Sequence, residues 1–226
     1  MARYKQPHLP AWLGDRLHKA LKLYFYNLSS GLHQADPFAP LHAQLTTHFR
    51  HYRKRYGITK RNLNAGWTEK QVRWWVIGAV RRFLVFFEKE KVSWFREEWA
   101  LDLIYLDDDG KHMTHLGEPD LVLYSQRRQR YMVLDFKTAD DNDKYIHQGR
   151  DSDRKKWDKL LGYAYGARQK MRHSTGRKMD KITIGYVVFI RKKVRKERMP
   201  PMTVLEQSAS RRRLENWHKR FLREIK

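Results

Sequence analysis

GEPDLVLYSQRRQRYMVLDFKTA, residues 117–139, is the stretch whose reading decides the fold of this chain. Two apolar runs, Leu121 to Tyr124 and Tyr131 to Leu134, flank the polar, basic turn Ser125 to Arg130, which is the pattern of a β-hairpin. Asp120 opens the first strand, and Asp135 and Lys137 close the second. Side chains two apart on a strand share a face, so Asp135 and Lys137 point one way while Leu134 and Phe136 point the other. Acids and lysines are common at strand ends, and Asp-x-Lys by itself is a weak signal. Its pairing with Gly-Glu-Pro-Asp at hairpin distance sets the stretch apart.

Upstream of the hairpin, residues 92–106 (VSWFREEWALDLIYL) have β-type composition and alternation, and the DDDGK turn from Asp107 to Lys111 suits a further hairpin. Before them lies a helical part, 11–91. A first helix over 11–28 carries Leu13, Leu17, Ala20, Leu21, Tyr24 and Leu28 on one face, with His18 at its edge, one turn after Gly14. A Ser/Gly/Pro-rich loop covers 29–40. A second helix over 41–56 stops at Gly57. Its His48 and His51 have no acid beside them and predict a satisfied or solvent-exposed pair, not a metal site. Thr68 caps a third helix that runs to Lys91 and buries Val72, Trp75, Val76, Ala79, Val80, Phe83 and Phe87.

Downstream, a polar connection over 140–152 leads to a helix over 153–173. Trp157, Leu160, Ala164, Ala167 and Met171 form its buried stripe, and Lys159, Tyr163, Gly166 and Lys170 a neighbouring one. Ile182 to Ile190 (ITIGYVVFI) is a near-continuous apolar run, hence a strand buried on both faces. After the basic loop RKKVRKERMPP comes a basic C-terminal helix over 209–226. It packs Leu214, Trp217, Phe221 and Ile225 and turns Arg211, Arg212, Arg213, Lys219, Arg220 and Arg223 outward. The order helix, strand, strand, strand, helix, strand predicts an α/β fold with a mixed sheet covered by helices. One domain over 1–226 is expected, with its core at 92–190.

The chain has 226 residues, long enough for one sizeable core. Its 48 Lys+Arg against 25 Asp+Glu give a net charge of +23, which implies a polyanionic partner and nucleic acid first. No apolar run of about 18 residues offers a membrane span, and the N-terminal MARYKQPHLPAW has no signal-peptide core. A cytoplasmic protein, prokaryotic or phage-encoded, is expected. Without cysteine there is no disulfide, zinc–thiolate site or cysteine-ligated iron–sulfur cluster. The eight Trp and twelve Tyr can stack on bases, although such rings more often fill cores. No Gly-rich phosphate-cradling motif is present, so any ATP-driven unwinding must come from another protein of a DNA-processing complex.

Pro-Asp, a gap, then Asp-x-Lys resembles the PD-(D/E)xK nuclease superfamily, whose restriction-endonuclease-like core has the same element order. Phosphodiester hydrolysis needs an activated water, neutralised phosphate charge and help for the leaving oxygen, and a divalent metal supplies much of each. Mg²⁺ or Mn²⁺ is satisfied by one or two carboxylates and a backbone carbonyl. Asp120 and Asp135 provide the carboxylates, Phe136 the carbonyl, and Lys137 orients the water. The order of blocks further resembles the RecB-type branch. Gly14-Asp15-Arg16-Leu17-His18 matches its Gly-x-x-x-His helix. Glu98, with Glu97 as the alternative, matches its strand acid. Gly117 to Asp120 with Asp135-Phe136-Lys137-Thr138 matches its central motif, and Tyr163 its Gln-x-x-x-Tyr helix, where Lys159 replaces the glutamine. The resemblance implies His18 as an added metal ligand, Glu98 as an assisting acid, and Lys159 and Tyr163 as backbone contacts on the substrate. Arg211, Arg212 and Arg213 are expected to hold phosphates. The implied activity is that of a DNA exonuclease without an iron–sulfur cluster, serving repair, recombination, phage replication or defence. Two other readings remain: an inactive nuclease-fold subunit that binds nucleic acid, and an RNA-directed nuclease.

Overall fold

The structure, a computed structural model, describes residues 9–30, 38–56, 67–107, 110–140, 151–196 and 198–224. The chain divides into two compact units. The first comprises Met1–Phe86, Lys137–Asn142 and Val188–Thr203, and the second Phe87–Phe136, Asp143–Val187 and Val204–Lys226.

In the first unit, α1 (Leu9–Ser29) and α2 (Ala39–Tyr56) are joined by α3 (Glu69–Lys89), which runs through to Phe86 there. α1 buries Trp12, Leu13, Leu17, Ala20, Leu21 and Phe25, and α2 buries Leu41, Leu45, Phe49 and Tyr52. The two stripes meet where the Trp12 ring lies 5.4 Å from Phe49 and 4.9 Å from Tyr52. α3 begins at Thr68, as its sequence predicts. The Gln71 N–H donates to Thr68 Oγ1 at 3.2 Å and the Thr68 N–H to Gln71 Oε1 at 2.8 Å, a reciprocal cap that satisfies two donors the first turn leaves over. α3 is fixed to the end of a strand, because the Trp75 indole N–H donates to the Ile190 carbonyl at 2.9 Å.

The second unit is built on strands β1 (Val92–Glu97), β2 (Leu101–Asp107), β3 (Gly110–Gly117), β4 (Leu121–Ser125), β5 (Arg130–Ala139), β6 (Ile182–Ile190) and β7 (Met202–Ser208), with helices α4 (Asp151–Thr175) and α5 (Arg211–Glu224). β5, β6 and β7 each contribute an end to the first unit. β1-β4-β5-β6-β7 is the order of one five-stranded sheet, and β2 and β3 form a separate two-stranded one. β1 and β5 both pair antiparallel with β4. Between β5 and β6 the Tyr131 N–H donates to the Lys181 carbonyl and, eight residues on by number, the Arg191 N–H to the Ala139 carbonyl. Both chains advance together, so this pair is parallel, and α4 is the crossover that parallel pairing demands. The protein is therefore a mixed α/β fold of restriction-endonuclease-like type, with every residue of β6 buried as its apolar run requires.

Three features depart from the sequence reading. Residues 92–106 are not one strand: Glu98 takes a left-handed backbone, φ +39, and the chain leaves the main sheet there to begin β2. A strand was not expected after the basic loop, yet β7 lies at the sheet edge. Its residues are mostly half-buried and follow two prolines, so it shows neither a buried run nor a clean alternation. The C-terminal helix starts at Arg211, because the Arg213 N–H donates to Ser210 Oγ and makes Ser210 its cap. Much of the loop at 29–40, the stop at Gly57, the tip of the 107–111 turn, most of the 140–152 connection and Ile225 lie outside the described residues.

Candidate active site

Leu121 stands opposite Leu134 in the β4–β5 ladder, so one step further along the antiparallel register brings Asp120 opposite Asp135. Residues directly opposite in an antiparallel pair face the same side, and two carboxylates thus meet at the end of the hairpin. Asp120 also completes the ladder. Main-chain pairing of β4 ends at Leu121, and the Phe136 N–H beyond it donates to Asp120 Oδ2. On the other side, the Glu98 N–H donates to the Asp120 carbonyl at 3.4 Å. Asp120 is half-buried and Asp135 buried. Phe136, whose side chain alternates to the other face, is buried as well.

α4 brings a positive charge to these acids. Lys159 Nζ lies 3.9 Å from Asp135 Oδ1 and 5.1 Å from the centre of the Tyr163 ring. Burial alone would lower the Lys159 pKa. A hydrogen bond with Tyr163 and the carboxylates of Asp135 and Asp120 outweigh it and hold the lysine above its ordinary value. Lys159 therefore stays cationic at neutral pH. Tyr163 is buried and faces Gly117: a Cβ on that glycine would stand 3.1 Å from the tyrosine hydroxyl. Gly117 also has φ +100, a conformation closed to side chains with a Cβ. Tyr163 thus packs between Lys159 and the Gly-Glu-Pro-Asp turn. Further along the same stripe of α4, Gly166 lies against Leu101 and Leu116, and Lys170 Nζ donates to the Ala100 carbonyl at 2.6 Å. The second stripe read from the sequence is the seam between α4 and the β2–β3 hairpin.

The strand acid is resolved into two different environments. Glu98 is exposed, whereas Glu97 is half-buried with Oε2 closed from solvent. Lys137, half-buried, follows Asp135 on β5 and belongs to the first unit. So does the first sequence block. Gly14 of α1 lies against Thr138: a Cβ there would stand 3.3 Å from Thr138 Oγ1. Residues four apart share a helix face, so half-buried His18 sits one turn along the face that meets the end of β5. Arg191 closes that end, donating to the Thr138 carbonyl at 2.8 Å and pairing with Asp140 at 2.7 Å. Nothing in the sequence marked Arg191, which stands among basic neighbours.

The C-terminal helix differs from its expected outward-facing arginines. Arg220 is turned in and pairs with Asp158 of α4 at 2.6 Å, and Arg213 is half-buried and tethered to the Ser208 carbonyl. Arg211 is exposed but paired with Glu215, and Arg212 is exposed.

Among the described residues no group of three or more His, Asp or Glu side chains forms a metal cluster. The donors at the hairpin end still fit a hard divalent cation. Two opposed carboxylates and a main-chain carbonyl are oxygen ligands, and a magnesium-type ion keeps several waters and needs few protein ligands. The Lys159 ammonium lies beside the same Asp135 carboxylate.

The family model of the PD-(D/E)XK nuclease superfamily matches residues 2–226. The chain belongs to that superfamily of nucleases, and its mixed α/β fold is consistent with it. No curated protein matches the chain. Among solved structures it is similar to one titled "Crystal structure of SSO0001", at 10% identity and a TM-score of 0.31, covering 95% of this chain and 85% of that one. No described helix is long and apolar enough to cross a membrane.

Proposed function

We propose that this nuclease is a divalent-metal-dependent deoxyribonuclease of RecB-like type, an exonuclease of repair, recombination, phage replication or defence. The observation that carries the reading is the meeting of Asp120 and Asp135 across neighbouring strands, two residues before Lys137 on β5. Bound Mg²⁺ or Mn²⁺ would supply Lewis-acid charge to the phosphate and lower the pKa of a water. Asp120, Asp135 and the Phe136 carbonyl would hold it, with His18 as an added ligand. Lys137 orients the water and takes part in moving its proton. The acid assisting it is Glu98 or Glu97, and the buried oxygen of Glu97 makes a comparison of Glu97→Gln with Glu98→Gln worthwhile. Lys159, held cationic, and Tyr163 touch the substrate backbone, while Arg211, Arg212 and Arg213 hold phosphates further out.

End-labelled and internally labelled DNA and RNA, each with Mg²⁺, Mn²⁺ or EDTA, test the reading together. Metal-dependent release from DNA ends is the expected result. Cleavage of RNA alone would support the RNA-directed reading. Binding with no cleavage in either metal would make the chain a nucleic-acid-binding subunit. Asp135→Ala turning over at the wild-type rate would remove the assignment.

A further inference from the structure

The first unit holds a second concentration of positive charge, on residues that no part of the cleavage chemistry uses. A cavity of about 160 Å³ is bordered by His42 of α2, Arg73, Trp74 and Arg81 of α3, and Lys196 and Arg198 of the loop after β6. Three elements thus converge their bases on one place. Among the described residues no carboxylate lines it. Lys70, Arg73, Trp74, Ile77 and Arg81 recur at three- and four-residue spacing, so a single face of α3 presents them. α3 spends its opposite face on the core and leaves this one to the cavity.

The loop is held there by close backbone contact. A Cβ on Gly78 would stand 2.6 Å from the Arg198 carbonyl and 3.1 Å from Pro200, so only glycine lets residues 198–200 lie directly on α3. That segment is further tied by the Ile190 N–H donating to the Pro201 carbonyl. From residue 191 to 198 it carries six Lys or Arg (191, 192, 193, 195, 196 and 198) against one acid, Glu197. Bringing such a loop onto an already basic helix face costs self-repulsion, which an anion bound there would relieve. Some of the cations are internally held: Arg73 pairs with Glu69 at 2.8 Å and reaches the Thr46 hydroxyl at 3.1 Å, and Arg81 lies over the Phe38 ring. Their positions beside the cavity are therefore fixed.

Trp74 gives the patch a second character. It is half-buried at the cavity edge, on the side of α3 away from buried Trp75. Lys70 Nζ lies 4.8 Å from its ring. An indole ringed by arginine and lysine is the combination that binds single-stranded nucleic acid: cations track the backbone and an unpaired base stacks on the ring. Duplex bases are not available for such stacking.

From the cavity, its fixed cations and its indole, we infer that the α3 face around Trp74 is a second nucleic-acid site that takes an unpaired strand, one base stacking on Trp74 with flanking phosphates on Arg73, Arg81, Lys196 and Arg198. The inference rests on the nuclease reading for the class of ligand and on none of the residues assigned to cleavage.

Binding of a fluorescein-labelled oligothymidylate and of a blunt duplex is measured by anisotropy in EDTA, where cleavage is stopped. Trp74→Ala is expected to weaken oligothymidylate binding roughly 5- to 150-fold, the loss of one stacked base, with duplex affinity nearly unchanged. Trp74→Phe should restore most of it. The double variant Lys196→Glu, Arg198→Glu, changed at exposed positions, should lower the salt slope by about 0.7 for each single-strand phosphate contact removed. Wild-type affinity for the single strand in Trp74→Ala would overturn the stacking site. So would an equal loss on the duplex. Should Trp74→Ala melt early, the loop variant decides, and an unchanged slope and affinity in it overturns the proposal. Wild-type protein that cleaves and binds while these variants lose nothing defeats this inference alone; wild-type protein that binds neither strand nor duplex defeats the nuclease reading with it.

Discussion

Asp120 has two jobs in this structure, and replacing it by alanine or by asparagine separates them. Its carboxylate accepts the Phe136 N–H that β4 cannot reach, and it is one of the two acids opposed at the hairpin end. Asp120→Ala removes a hydrogen bond to a charged acceptor, worth about 1.5–3 kcal/mol. For a chain of 226 residues each kcal/mol shifts the melting temperature by about 2–4 °C, so a fall of roughly 3–12 °C is expected. Asp120→Asn keeps a carbonyl oxygen for the same N–H but lacks the negative charge that a hard cation needs. It should melt within about 1 kcal/mol of wild type and cleave no better than the alanine variant. Calorimetry and single-turnover cleavage are run on both variants, with Mn²⁺ binding followed by paramagnetic resonance. Wild-type cleavage by Asp120→Asn would refute the ligand role. An unshifted melt for Asp120→Ala would refute the ladder role.

His18→Ala should impair cleavage in both metals and weaken Mn²⁺ binding without a cavity-sized loss of stability, since imidazole suits Mn²⁺ better than Mg²⁺; an early melt with normal Mn²⁺ titration would make the histidine structural. Glu90 is buried among Arg127, Arg128 and Ser125 at the hairpin turn. Burial alone would raise its carboxyl, but those hydrogen bonds hold it below the ordinary 4.5. Its contribution is therefore complete above that value and lost as pH falls through the lower folded one. Urea unfolding of Glu90→Gln should show less acid destabilisation below about pH 4.5 than wild type does, and parallel curves would count against the pairing. Gly117→Ala meets both a positive φ and the Tyr163 hydroxyl and should cost about 1–3 kcal/mol, read by thermal melting; a neutral result would mean that the turn does not lean on α4.

The sequence by itself determined what local physics controls. Two apolar runs around a polar turn set the β4–β5 hairpin, an apolar run from Ile182 to Ile190 set a fully buried strand, and Thr68 set the start of α3. The unbalanced basic charge and the Pro-Asp and Asp-x-Lys pattern point to the nuclease superfamily without reference to packing. Register already contained the opposition of Asp120 and Asp135, but only once pairing of Leu121 with Leu134 fixed the rung. Glu98 left the main sheet through one left-handed residue, a choice its composition does not carry. β7 was hidden because an edge strand half-open to solvent has no strong pattern of its own and exists through its ladder to β6. Arg220 and Arg213 read as surface charge until Asp158 and Ser208 drew them inward. In the same way, Trp74 and Trp75 are neighbours in sequence and identical in composition. Periodicity already assigns Trp75 to the buried stripe, but that Trp74 borders a basic cavity was decided by the loop that Gly78 admits onto α3, because its cations are gathered there from segments distant in the chain.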